Sequence, residues 1–207
     1  MRTLHDLILA LAALVATSGG LPAASAAGQW AGQTFLSDYD GLQLAEGKDG
    51  RDYVYLREVD PERMGLFRKV LIDQPEVFIS AASPYTGAKP ADLAAIAGVV
   101  RESVATALQS RGYTLVESPA PDAVYVRLAV TELSIDRKKR GLLSYTPVGF
   151  VVSSGVQALQ EFTDKYEIRD MALQVEVQDS VRHDLLGAAV VQRGRSADTS
   201  KPLSFDA

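Results

Sequence analysis

Histidine limits the catalytic chemistry that this sequence can support. There are two histidines, His5 and His183, and His5 lies in an N-terminal segment that we interpret below as a signal peptide. A serine–histidine–carboxylate triad would therefore need His183 as its base. His183 lies in a short polar stretch between two predicted strands, and no serine occupies a G-x-S-x-G elbow. We predict that His183 is a solvated turn residue and that the chain has no catalytic residue.

Metal and cofactor sites are also poorly supported. The sequence contains no cysteine, and zinc and iron sites usually need several histidine or cysteine ligands. An EF-hand calcium loop that began at Asp38 would place Leu42 at its fifth position, where an acidic or amide residue is required. No Walker loop or G-x-G-x-x-G motif is present. We therefore predict no metal and no cofactor, and we interpret the nearby acidic residues as a solvated arm: Asp38, Asp40, Glu46, Asp49 and Asp52.

One cluster of basic residues stands out: Arg137, Lys138, Lys139 and Arg140. It leads into residues 141–160, which carry no charge and include Tyr145 and Phe150. A helix over residues 148–159, packed on a sheet, would account for the apolar residues. An element that contacts a partner or a membrane surface would account for the basic residues as well, because they engage anionic headgroups beside inserted apolar side chains. We keep both interpretations, together with a third in which the segment spans a membrane, although its proline, glycines and serines make it a weak spanning helix. The four basic residues, Tyr145 and Phe150 are the candidate contact residues.

The N-terminus has the three parts of a secretory signal peptide. Met1 and Arg2 form a short positive region, residues 7–15 are apolar, and Ala24, Ser25 and Ala26 supply the small residues of a cleavage site. The apolar run is about half the roughly 20 residues that a spanning helix needs. We predict cleavage after Ala26 or Ala27, and a periplasmic or secreted product. Because there is no cysteine, we expect no lipid anchor through the chain's own cysteine.

Composition favours one soluble domain. The chain has 207 residues, a net charge of −5 and 47% hydrophobic residues. This hydrophobic content argues against disorder, and the length after cleavage is ordinary for one domain with one core. A mildly acidic protein is a poor candidate for binding nucleic acid, which usually needs a basic face.

The regular elements begin near residue 68. Residues 70–80 are rich in β-formers, and Pro75 indicates a bulge or an edge strand. Pro90 opens the clearest helix, which Gly112 ends. The apolar residues of this helix recur at three- and four-residue spacing and predict one buried stripe: Leu93, Ile96, Val100, Val104 and Leu108.

Strict alternation then predicts strands with one buried and one solvated face. In the first of these strands the apolar positions are Val124, Val126, Leu128 and Val130. In the second, residues 171–177 alternate against Gln174, Glu176 and Gln178. A polar turn over residues 179–184 leads to an apolar run over residues 185–191, which closes a hairpin.

These elements predict an α/β fold. The architecture is a two-layer sandwich of a mostly antiparallel sheet with one or two helices packed on one face, preceded by an extended N-terminal arm. We predict the following segments: a signal peptide over residues 1–26, the arm with one short strand over residues 27–66, a single α/β domain over residues 67–195, and a C-terminal tail or incomplete terminal helix over residues 196–207.

Several sequence blocks carry a family resemblance. The most specific is FLSDY: Phe35, Leu36, Ser37, Asp38 and Tyr39. Further blocks lie at residues 67–77, 122–131, 175–180 and 186–190. With these blocks the chain resembles the bacterial domain-of-unknown-function family 3313, mostly envelope lipoproteins, over residues 34–195. The resemblance implies a periplasm-facing location and no catalytic residues. Relatives typically carry a lipidated cysteine and a terminal amphipathic helix, and this chain departs from both features.

We therefore expect a non-enzymatic periplasmic accessory protein that binds an envelope protein, a glycan or a membrane surface, with oligomers possible. The predicted architecture is also similar to the periplasmic domain of the curli secretion pore and to activators of peptidoglycan synthases, a likeness of fold that says little about function. Two alternatives remain open at this point. One is a carboxylate-dependent hydrolase of envelope glycan or peptide, and the other is a subunit of an envelope assembly or secretion pore.

Overall fold

Alternating apolar and polar residues build a sheet around two long central strands. The computed structural model describes residues 34–45, 52–57, 65–138 and 155–193. These residues form eight strands and two helices: β1 (Leu42–Ala45), β2 (Asp52–Arg57), β3 (Lys69–Ile72), β4 (Glu76–Ile79), α1 (Pro90–Ser110), β5 (Thr114–Leu115), β6 (Ala123–Arg137), α2 (Gly155–Lys165), β7 (Tyr166–Asp179) and β8 (Leu185–Arg193).

The strand order is β1-β2-β8-β7-β6-β3-β5. From β1 to β6 every neighbouring pair is antiparallel, whereas β3 is parallel to both β5 and β6. β6 is long enough to pair with β3 along its first half and with β4, again in parallel, further on. The segment between β3 and β4 contains the buried Pro75, which cannot donate a ladder hydrogen bond and interrupts the β-rich stretch.

Helix α1 packs its predicted stripe on the sheet. Pro90 occupies the first turn, where its missing N–H costs nothing, and Gly112 has a φ of 88° just past the end. Val104 and Leu108 share a buried cluster with strand residues Val124, Val126 and Leu128. Nearer the start of the helix, Ile96 packs with Val130, and the half-buried Leu93 and Val100 join these contacts. The structure confirms the predicted faces of α1 and β6.

A bulge at Glu132 keeps the long β6 strand packed against the helices. Glu132 has a φ of 54°, and the pairing of β6 with β7 shifts register between Thr131 and Ser134. The extra residue reverses the side-chain alternation. Val130 and Leu133 therefore face the same cluster, which also contains Ile96 of α1 and the fully buried Phe162 of α2.

The α/β sandwich is confirmed, with two differences of detail. The second helix, predicted over residues 148–159, begins among the described residues at Gly155 and continues to Lys165. Two strands of the predicted arm, β1 and β2, extend the sheet beyond β8, where one short strand was expected. No helix among the described residues is long and apolar enough to cross a membrane. The predicted signal peptide, residues 139–154 and the tail over residues 196–207 lie outside the described part of the chain.

Candidate functional site

The FLSDY block lies across the face of the sheet that points away from the helices. We call residues 35–42 the strap. Phe35, Leu36 and Leu42 of the strap are buried and pack on three strand residues of β6 and β8: Ala129, Ala188 and Val190. The strap therefore adds a partial third layer, which completes the core on this side of the sheet.

Glu176 of β7 anchors the strap. Its side chain is 0% exposed. The backbone N–H and the hydroxyl of Ser37 each donate a 2.6 Å hydrogen bond to its Oε2 atom. Its Oε1 atom accepts hydrogen bonds from Nη1 of Arg127 at 2.9 Å and from Nε2 of Gln178 at 2.7 Å. Four donors thus surround one carboxylate, as a buried charge requires.

These donors control the ionisation of Glu176. Burial alone raises the pKa of a carboxyl group, because it disfavours the charged form. The hydrogen bonds from Ser37, Arg127 and Gln178 outweigh that effect, and the pKa of Glu176 lies below its ordinary value. Glu176 is therefore a carboxylate that already has its partners, and it differs from a general acid, which needs a raised pKa.

A second set of hydrogen bonds fixes the end of the FLSDY block. The hydroxyl of Tyr39 donates to Oε1 of Gln174 at 2.8 Å and accepts from the backbone N–H of Leu36 at 3.1 Å. Gln174, itself fully buried, donates through Nε2 to the hydroxyl of Thr131 at 3.1 Å. Above β6, the guanidinium carbon of Arg127 lies 4.8 Å from the centre of the Phe35 ring, a cation–π contact.

The buried carboxylate leads to a prediction about pH. A glutamate whose pKa is lowered in the folded state stabilises the fold above its unfolded pKa of about 4.3, and this contribution is lost as pH falls through the folded pKa. We expect the free energy of unfolding to decline below about pH 4.5, and to decline less steeply in the variant Glu176→Gln. Urea denaturation at a series of pH values from neutral to strongly acidic measures both slopes. Parallel curves for the two proteins would contradict the assignment.

Next to the strap the same face is partly exposed and carries an aromatic side chain. Val77 and Ile79 of β4 face the helices, so Glu76 and Phe78 face the strap side. Glu76 Oε1 lies 3.9 Å from Nη2 of Arg127, and Phe78 is 46% exposed. Beside them the hydroxyl of Tyr125 donates to the carboxylate of Asp73. Burial, together with that neighbouring carboxylate, raises the pKa of Tyr125 to about 12.

A separate polar cluster joins the two helices. Asp92 of α1 is buried and accepts from Nζ of Lys165 at 2.7 Å and from the hydroxyl of Tyr166 at 3.0 Å. The bond from Lys165, with help from that of Tyr166, lowers the pKa of Asp92 against the effect of burial. The ring of Tyr166 lies 5.7 Å from that of Tyr85 and 4.8 Å from that of Phe162, measured between centroids. The cluster fixes the start of α1 to the end of α2.

The predicted contact residues are described in part. Arg137 is exposed, with its guanidinium carbon 4.8 Å from the centre of the Tyr85 ring. The backbone N–H of Lys138 donates to the carbonyl of Lys165 at 3.1 Å. Lys139, Arg140, Tyr145 and Phe150 lie outside the described residues. The structure thus places the start of the basic cluster beside the joined ends of α1 and α2.

His183 lies where the sequence predicted. It is exposed in the turn between β7 and β8, with a φ of 59°, and its backbone N–H donates to the carbonyl of Asp179 at 2.9 Å. In the described part of the chain, no group of three or more histidine, cysteine, aspartate or glutamate side chains is arranged to hold a metal ion.

The prediction that one face of β7 is solvated is wrong at two positions. Gln174 and Glu176 are fully buried, because the strap covers them. The residues that hold the strap were therefore missed. The sequence did contain a sign of this contact, because Arg127 and Glu176 carry opposite charges on the polar faces of two predicted strands. The structure places the two residues opposite each other in the β6–β7 pair.

Comparison with known proteins identifies the family. The family described as "Protein of unknown function (DUF3313)" matches residues 31–206. The chain belongs to this family. The DUF3313 match includes the strap and every strand and helix described above. Among curated proteins there is no match. One similar solved structure is a dodecamer of a PelC variant from Paraburkholderia phytofirmans, with 15% identity, coverage of 72% of this chain and 86% of that one, and a TM-score of 0.34.

Proposed function

We propose that this DUF3313 protein is a non-enzymatic accessory protein of the periplasm that binds a component of the cell envelope. The observation that carries the proposal is the exposed aromatic side chain of Phe78 on β4. Among the described residues, β4 pairs only with β6, so its other side is a sheet edge. Aromatic residues, phenylalanine included, are enriched in protein interfaces relative to the rest of the surface.

The surroundings of Phe78 give it the support that a binding residue needs. Glu76 on the same strand lies near Arg127, which contacts both the buried Glu176 and the Phe35 ring. The edge is thus linked to the strap and the core through the Glu76–Arg127 ion pair.

Two of the buried carboxyl groups support a binding role over a hydrolytic one. A glycan hydrolase needs one carboxyl group with a raised pKa facing a second carboxylate across a cleft. Asp92 and Glu176 both have lowered pKa values and lie on opposite sides of the sheet. Each one already accepts hydrogen bonds that hold two parts of the fold together. The two carboxylates therefore stabilise the fold.

Recovery of the partner tests the role of Phe78. We expect the tagged protein to recover an envelope component, and Phe78→Ser to weaken that recovery roughly thirtyfold, since a binding hot spot contributes about 2 kcal/mol or more. Val181→Ser is the matched control, because Val181 is similarly apolar and 54% exposed but lies in the β7–β8 turn. The same recovery with both variants, or an equal loss, would contradict the proposal.

Export is tested by intact mass. We expect protein recovered from the periplasm to begin at residue 27 or 28, because the small residues before these positions fit a signal peptidase. Mass spectrometry of the purified protein measures the loss directly. Retention of Met1 on most of the recovered protein would contradict cleavage of the signal peptide, and absence of the protein from the periplasmic fraction would contradict the proposed location.

A further inference from the structure

The outer side of β4 presents backbone groups to which no described strand is bound. Ser80, which directly follows β4, donates its N–H to the carbonyl of Leu133 in β6 at 2.9 Å. Because the backbone groups of successive strand residues point alternately to the two sides of the strand, Val77 and Ile79 point theirs away from β6. Among the described residues β4 pairs only with β6. The N–H and carbonyl groups of Val77 and Ile79 can therefore bind a further strand.

The residue types of β4 suit an added neighbour. The strand reads EVFI, and valine, phenylalanine and isoleucine all favour strands. Glu76–Ile79 contains neither the lysine nor the proline that commonly keeps a strand edge from pairing. The four residues of β4 limit the pairing to a short segment, so an extended peptide matches this edge in length.

An added strand would meet a different surface on each side of the sheet. On the helix side, Val77 and Ile79 are half-buried and pack against the cluster that contains Ile96 and Val130. An apolar side chain placed beside them would bury further apolar surface. On the strap side the neighbour is Phe78, 46% exposed, and aromatic pairs across neighbouring strands stabilise their association.

The strap side of this edge is also negative. Asp73 and Glu76 are both exposed, and both carboxylates help to raise the pKa of the nearby Tyr125, so they lie near one another. Arg127 is 3.9 Å from Glu76, but its closer contact, at 2.9 Å, is with the buried Glu176. A basic side chain on this side of an added strand would be stabilised, because opposite charges on neighbouring strands attract.

We infer that β4 binds an extended peptide segment that pairs antiparallel with it, the more stable of the two orientations. The segment places apolar side chains on the helix side and aromatic or basic side chains on the strap side. In recognition of this kind, main-chain hydrogen bonds give affinity and alternate side chains give specificity. The inference rests on the proposed function and names its partner class, an envelope protein with an accessible extended segment.

A second copy of the chain is a less suitable neighbour for this edge. Pairing of β4 with β4 of another copy would bring the carboxylates of Asp73 and Glu76 to the interface from both sides. Each copy also has a net charge of −5, and like charges oppose association. A peptide with basic residues meets the same edge with opposite charge.

Titration of a synthetic peptide tests the inference. The probe is Thr-Lys-Val-Phe-Val-Lys-Thr with capped ends, which has the same order of side chains in both directions. When its phenylalanine lies opposite Phe78 in an antiparallel pair, its valines lie opposite Val77 and Ile79 and form the hydrogen bonds. We expect calorimetric titration of the exported protein to show binding. N-methylation of both valines should weaken it roughly thirtyfold, because two hydrogen bonds are lost.

N-methylation of the two lysines of the probe is the matched control. It adds the same methyl groups where the peptide N–H points away from β4, and it should weaken binding less than about threefold. Equal losses from the two modifications would show that the backbone of β4 is not recognised. That result, a larger loss from the methylated lysines, or no binding of the unmodified peptide would each overturn the inference.

Two measurements on the protein complete the test. Glu76→Gln should weaken binding of the unmodified peptide about threefold. Its control, Glu161→Gln, removes the same charge from an exposed position on α2, on the other side of the sheet, and should leave binding unchanged. Equal effects of the two variants would contradict the predicted charge contact.

Amide exchange reports the backbone directly. We expect the N–H groups of Val77 and Ile79 to exchange rapidly in the protein alone and slowly with the peptide, because unpaired amides at a strand edge are open to water. The N–H of Ser80, already bound to Leu133, should change little. Protection of Val77 and Ile79 without peptide, together with a dimeric mass in sedimentation, would overturn the inference in favour of a second copy.

The two proposals fail separately. Binding of the peptide in the expected pattern, without Phe78-dependent recovery of an envelope component, would contradict the proposed function and leave the peptide-binding edge established. Phe78-dependent recovery without peptide binding would overturn strand addition alone.

Discussion

Replacing Glu176 by alanine is expected to destabilise the protein by about 3 kcal/mol. Removing one member of a buried ion pair leaves the other charge without its partner, and such changes typically cost about 3–5 kcal/mol. Arg127 retains 29% exposure, which allows some rehydration and places the expected value at the lower end of that range. The loss of both Ser37 bonds should also release the strap. Urea denaturation gives the free energy, and amide exchange of strap residues reports its release.

Two further variants separate charge from shape. Glu176→Gln keeps the size of the side chain and should cost less than Glu176→Ala. Ser37→Ala removes only the hydroxyl donor and should cost about 1 kcal/mol. In a double-mutant cycle Ser37→Ala and Glu176→Ala should be strongly coupled, because they remove the same contact. Additive effects, or a Glu176→Ala protein with unchanged stability, would show that the strap does not depend on this carboxylate.

Replacing Leu128 by alanine should cost about 3 kcal/mol, whereas Val100→Ala should cost about 1 kcal/mol. Leu128 is 1% exposed in the centre of the sheet, and truncation there leaves a cavity that the neighbouring strands cannot fill. Val100 is half-buried on α1, and alanine also favours the helix, which offsets part of the loss. Denaturation curves of the two variants measure the difference. A Val100→Ala effect equal to or larger than that of Leu128→Ala would mean that the buried faces are misassigned.

The fold was largely predictable because its periodic patterns agree with its packing. Alternation in β6 and the stripe on α1 specify the same interface from both sides, and Pro90 and Gly112 mark the helix limits. The bulge at Glu132 was not predictable, since a single residue with positive φ leaves no distinct pattern in sequence. Strands β1 and β2 were also difficult, because short segments at a sheet edge owe their conformation mainly to their neighbours.

The candidate site was only half predictable. The FLSDY block was recognisable as a unit, but its role depends on Glu176 and Gln174, which the alternation assigned to a solvated face. Burial of that face follows from a tertiary contact, and local periodicity carries no information about it.

The strap and the residue that anchors it are far apart in the sequence, and this separation affects the order in which they fold. Ser37 and Glu176 are 139 residues apart, so the strap is synthesised long before β7. Contacts between such distant residues form slowly, because the loop must close before any of them stabilises the fold. We therefore expect the strap, the first of the described segments to be synthesised, to be among the last to reach its native position. A nascent chain that ends before β7 lacks Glu176 and Gln174, and its strap has no docking site until both residues have emerged.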